Sequence, residues 1–135
     1  MAKESGLAWT TASRDDSGGT LRALVNDVLN VDFATPRNVQ DSTGMDKSAM
    51  ERILLLGDYS STWNGVFNDA VNTAHDVHKT VASADATRSE SLVISGQTLN
   101  TEVLLTNYAL TRAASGELTW SAPAVLQNGT VPTWS

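Results

Sequence analysis

Apolar and polar residues alternate along much of this chain. Tyr59, Trp63 and Phe67, with Ser61 and Gly65 between them, fall on one side of an extended segment from Asp58 to Asn68. Ser60, Thr62, Asn64 and Val66 fall on the other. That period of two is the signature of a half-buried strand. Leu99, Thr101, Val103 and Leu105 repeat it within Thr98 to Leu110, as do Leu118, Trp120 and Ala122 within Glu117 to Ala122. Leu29, Val31 and Phe33 alternate with Asn30, Asp32 and Ala34 until Pro36, which has no N–H to give a ladder. Leu7 to Ser13 reads as a first strand, Thr20 to Asn26 as extended or briefly helical, and Arg37 to Thr43 as a further strand. Turns separate them: Asp15 to Gly19, Ser95-Gly96-Gln97, which folds Leu92 to Ser95 back as a hairpin, and Ala113 to Gly116.

Two segments carry helix-start signals. Ser48-Ala49-Met50-Glu51 fits a capping box and predicts a helix to about Leu55, stopped at Gly57-Asp58. Asn72 to Asp76 offers a cap before a short helix ending near Val81, and Ala82 to Glu90 is small and polar enough for a loop. Six to eight short strands with frequent turns predict a mainly β fold, a β-sandwich or partly closed barrel with one or two short flanking helices. Residues 1–135 are read as one domain with a polar arm at about 127–135.

Composition sharpens this picture. Ser and Thr number 30 against 3 Lys, and the formal charge is −6. The six Arg are scattered singly, so no basic stripe marks a nucleic-acid site. With no Cys, disulfides, thiolate metal sites and a Cys nucleophile are excluded. No apolar run reaches the ~20 residues of a membrane helix. His75 and His78 could both face a metal, but no further His or Cys exists to complete a set, so a polar helix face is the plainer reading. Asp15 to Gly19 lacks the alternation and distal Glu of a calcium loop. No phosphate-binding glycine loop or nucleophile elbow occurs. The residues therefore name no catalytic group, cofactor or metal. Trp9, Trp63 and Trp120 sit in alternating strands and read as core. Trp134 lies in the polar arm and needs a groove on its own domain or on a neighbour.

The order of segments is more informative. A polar first strand is followed by Leu24 to Val31, the loop and helix signal Asp41 to Arg52, and the strand running to Asn68-Asp69-Ala70. A short helix, the Leu92 to Leu110 hairpin and a last strand Gly116 to Ala122 complete it. From about Leu7 to Trp134 this order resembles the tail tube (major tail) proteins of long-tailed bacteriophages, especially those of actinobacteria. The resemblance implies a structural virion protein, not an enzyme, made in the host cytoplasm and built into the phage tail. Copies would form six-fold rings that stack into a hollow tube around a tape-measure protein. Tail terminator and tail-tip proteins would be further partners. Double-stranded DNA would pass through without specific binding.

On that footing, the polar faces of two strands are expected to line the channel: Ser60, Thr62 and Asn64 on one, Thr98, Asn100 and Glu102 on the other. Contacts between subunits or rings are expected from Asp46, Lys47, Glu51 and Arg52 and from Val131 and Trp134 of the arm. A capsid decoration protein or other non-catalytic sandwich module is the alternative, and a small β-barrel enzyme with a hidden carboxylate pair a third.

Overall fold

The computed structural model describes residues 3–135. After a 3-10 turn at Gly6–Ala8, the chain forms β1 (Trp9–Asp15), β2 (Leu21–Ala23), β3 (Val28–Ala34), β4 (Arg37–Asp41), β5 (Arg52–Gly57) and β6 (Ser60–Val66). The helix α1 (Ala74–His78) follows, then β7 (Arg88–Ile94), β8 (Gln97–Leu105), β9 (Ala109–Arg112) and β10 (Leu118–Leu126). Eight strands share one antiparallel sheet in the order β2-β1-β7-β8-β10-β6-β3, with β9 pairing β10 beside this path; β4 and β5 stand apart as a two-stranded sheet. The large sheet is not closed, since β2 and β3 are its edges. It coils until its two halves face each other: Trp9 of β1 meets Phe33 of β3 edge-to-face at 5.9 Å, and Arg14 of β1 donates to Ala122 O of β10 at 3.1 Å. The mainly β sandwich read from the sequence is the observed architecture, with one short α-helix.

The buried side chains are those the alternation selects. Tyr59, Ser61, Trp63 and Gly65 point inward from the β6 segment; Leu99, Thr101 and Val103 do so from β8, and Trp120, Ala122 and Ala124 from β10. One core cluster gathers Trp63, Trp120, Leu92, Leu24 and Ala12 under Ala74 and Val77 of α1. A second joins Tyr59, Leu99, Val103 and Ala124. Pro123 is tolerated inside β10 because it sits where the strand changes partner, between β9 at Leu118–Ser121 and β8 at Ala124–Leu126. In β3 the pairing slips between Val28 and Asn30, which leaves Leu29 69% exposed although the alternation places it with Val31 and Phe33.

Three expectations are corrected. Ser48 to Leu55 is not a helix: Arg52–Gly57 is β5, paired with β4. The Glu51 N–H that a capping box would use instead donates to Thr43 Oγ1 at 2.8 Å, while Ser42 N donates to Glu51 O, closing a hairpin. Ile53-Leu54-Leu55-Leu56 has no helical period to compete with that pairing. The Ala82 to Glu90 loop ends early, because β7 begins at Arg88; Arg88 and Glu90 are inward-facing polar residues that hide the strand's alternation. The segment from Thr98 to Leu110 is not one strand, because β8 stops at Leu105 and β9 starts at Ala109.

The helix lies where the cap signal placed it, though it ends at His78. Thr73 makes no side-chain cap; the buried Asp27 carboxylate accepts from Ala74 N at 3.1 Å and from Asn68 Nδ2 at 2.8 Å. The same residue's carbonyl accepts from Val66 N at 2.9 Å, so the β2–β3 connection ties helix to sheet.

Gly65 is fixed by this junction. A Cβ there would lie 2.1 Å from Asp27 O and 2.7 Å from Trp120 Cζ2. Gly65→Ala is expected to cost about 3 kcal/mol or more, the upper end for overpacking against backbone. Gly6→Ala, with nothing within 4 Å, should be near neutral. Urea midpoints of the two variants check the contrast.

Candidate functional site

Among the described residues the candidate site is a set of surfaces. The first is the outward face of the large sheet. Strand registers put Thr62 beside Pro123 and Asp32, and Asn64 beside Ser121 and Asn30. Likewise Asn100 sits beside Ser91, and Glu102 beside Ser89, whose hydroxyl donates to the Glu102 carboxylate. Ser60, Thr62 and Asn64 of β6 and Thr98, Asn100 and Glu102 of β8 therefore share one face, on strands separated by β10. Ser60 and Asn100 are exposed and the other four half-buried. Outward positions of β3, β6, β7, β8 and β10 carry hydroxyls, amides, Asp32 and Glu102 together with apolar Val66, Val93, Leu104 and Val125, and no Lys or Arg.

The second surface is the β4–β5 hairpin. Every residue of β4 and all of β5 but Gly57 are exposed. Val39 pairs with Leu54 and Gln40 with Ile53, so both faces of the ribbon carry apolar side chains. Leu56 is 90% exposed, and Met45 in the loop fully so. Asp46, Lys47, Glu51 and Arg52 lie in that loop or at its junction with β5, all exposed, with Lys47 Nζ 3.6 Å from Asp46. A two-stranded ribbon is marginal alone, and an apolar patch of this kind marks an interaction surface. The sequence held the signal, four consecutive apolar residues of strand length, but the adjacent capping box misdirected it.

The third surface is the arm. Beyond β10 the chain crosses back, and Ser135 and Thr98 exchange backbone hydrogen bonds of 3.0 and 2.8 Å. Trp134 bridges to Leu99 and lies 5.9 Å from Phe33, yet is 46% exposed. Val131 packs against Gly57 at the hairpin root and is also half exposed. Within this chain, then, Trp134 finds its groove on its own sheet.

The interior holds a group that the alternation did not announce. Arg14 and Glu90 are fully buried and paired, Nε to Oε1, at 2.8 Å. Tyr59 Oη donates to the other Glu90 oxygen, and Ser61 Oγ donates to Oε1 at 3.0 Å. Arg14 also stacks on Trp63, 4.0 Å from the ring centre. Burial and the Glu90 charge push the Tyr59 phenol well up, so it stays a donor. Arg14 Nη1 lies 3.2 Å from His78 Nε2; arginine cannot accept, so Nε2 accepts and Nδ1–H donates to Ala74 O at 2.9 Å. Burial, with the Arg14 charge beside it, lowers the His78 pKa to about 3. His75, the other member of the pair, meets Tyr108 Oη at 3.0 Å. Among the described residues no three His, Cys, Asp or Glu gather as a metal site.

Two outcomes follow from this interior. Glu90→Gln leaves the Arg14 charge buried without its counter-ion and should cost about 3–5 kcal/mol; pairing it with Arg14→Met should recover much of that loss, read from denaturant midpoints. His78 is neutral when folded and ordinary at 6.5 when unfolded. The unfolded chain therefore binds the extra proton as pH falls, and stability should decline from pH 6.5 toward 3. A His78→Gln variant should lack the decline between pH 6.5 and 5.

No family model matches this sequence, and no curated protein does. Solved structures do match. One is a chain from the tail of an empty gene transfer agent (GTA) particle, computed with helical refinement and C6 symmetry: TM-score 0.76, 14% identity, 98% of each chain covered. A second comes from the virion of a native GTA particle, with TM-score 0.77, 12% identity, and 98% and 99% coverage of this chain and that one. A third comes from the six-fold symmetrised baseplate of the anti-feeding prophage, with TM-score 0.65, 9% identity, and 100% and 97% coverage. Over its whole length, this chain has the fold of components of phage-like tails.

Proposed function

We propose that this protein is a tail tube subunit: a non-catalytic virion protein whose single domain assembles side by side into rings, six-fold as in the GTA tail, that stack into a hollow tube. The observation that carries the reading is the β4–β5 hairpin, apolar on both faces and exposed everywhere but at its Gly57 root, where Val131 packs. A strand pair with that composition is stable only against another surface. The full-length likeness to tail components supports further copies of this chain as the partner. The hairpin loop, with Asp46, Lys47, Glu51 and Arg52 at its rim, would sit in the contact between subunits or rings, together with Val131 and Trp134.

The outward sheet face suits the channel. A conduit must let DNA slide, and Lys or Arg at every ring would hold phosphates through counter-ion release. Hydroxyls and amides hydrate the phosphates, while Asp32 and Glu102 repel them. Ser60, Thr62, Asn64, Thr98, Asn100 and Glu102 would then face the lumen. Assembly would take place in the host cytoplasm around a tape-measure protein, between tail-tip and terminator proteins.

Electron microscopy of the concentrated protein tests this. Hollow tubes with a regular axial repeat are expected. The Leu54→Ser/Leu56→Ser variant should keep the thermal midpoint within a few degrees and lose the tubes. Normal tubes from that variant would remove the hairpin from the contact. A tube map with Glu102 on the exterior would overturn the channel assignment.

A further inference from the structure

The arm sits on an edge that the sheet itself leaves open. β8 is paired with β7 along Gln97–Val103, but on its other side β10 meets it only at Val103–Leu105. Past that point the edge of β8 is taken by the arm through the two Ser135–Thr98 hydrogen bonds and the Trp134–Leu99 bridge. Between Gln127, whose N–H donates to Glu102 O, and this bridge, the chain makes no strand pairing. An open strand edge is a template for another chain, and natural sheets cover such edges.

We infer that the 127–135 arm is an exchangeable cover: in the isolated subunit it closes its own β8 edge, and in the assembly the same residues close the β8 edge of a second copy. This rests on the tube reading for the state in which copies are held together. The partner's identity is given by the seat. The segment that fits Thr98, Leu99 and Phe33 here is this chain's own arm, so a second copy presents a matching one without any new contact. Exchange of identical segments is close to neutral in contacts, so concentration and neighbour geometry decide it. About nine residues of extended chain reach ~30 Å, enough to cross to an adjacent subunit. Val131 couples the cover to the hairpin. It packs at Gly57, the root of β5, so lifting the arm joins newly bared apolar surface to the exposed ribbon. A closed arm therefore keeps the subunit from polymerising, and an opened one prepares it.

The absence of native cysteine makes the test clean. Thr98→Cys and Ser135→Cys chains are mixed, concentrated with wild-type protein under assembly conditions, and oxidised. Exchange predicts a disulfide-linked T98C–S135C species that grows with assembly and is absent from dilute protein. In a second arm, the T98C/S135C double variant is oxidised while dilute, locking the cover at home. It should fail to assemble and recover on reduction. Tubes that form with no inter-chain link, or a locked variant that assembles at the wild-type rate, would overturn exchange while leaving the tube reading intact. Linked chains without tubes would support exchange and count against the tube. Neither links nor assembly would sink both.

Discussion

The buried Arg14–Glu90 pair is the interaction on which the rest of the structure turns. Arg14 comes from β1 and Glu90 from β7, adjacent strands, yet their remaining partners come from the opposite half of the coiled sheet and from the helix: Tyr59, Ser61 and Trp63 at β6, Ala122 on β10, and His78 on α1. Two charges out of water are tolerable only when nearly every donor and acceptor around them is matched. That demand fixes the distance and rotation between the two halves of a sheet whose edges never meet. An apolar core of similar volume would permit sliding; a hydrogen-bonded network holds one arrangement. Arg88 does a parallel task at the sheet's rim, donating to Val77 O, Asp15 O and Thr80 Oγ1.

A rigid frame built this way can leave other parts unsupported. The β4–β5 ribbon has no apolar floor beneath it, and the arm is secured chiefly by two backbone hydrogen bonds and one half-exposed tryptophan. Both have little buried apolar contact, the physical mark of segments that open at low local free energy.

The sheet's two faces divide the labour differently. Inward positions supply cohesion; outward ones mix hydroxyls, amides and two carboxylates with Val66, Leu104 and Val125, and carry no base across five strands. The net charge of −6 bears on solubility and association and contributes little to the fold.

How much of this was legible in the sequence follows from the range of each interaction. Alternation at Tyr59 to Phe67, Leu99 to Leu105 and Leu118 to Ala122 is a local signal, and it determined the strands, their buried faces and the mainly β class. The segment order determined the resemblance to tail tube proteins. Tertiary structure alone decided three things. It turned Ser48 to Leu55 from a capped helix into a ribbon, because pairing with β4 outweighed a local cap. It placed the helix cap on Asp27, 47 residues upstream of Ala74. It also buried Arg14, Arg88 and Glu90, which any local rule puts on the surface, because a charge can enter a core only where distant strands bring its partners to meet it.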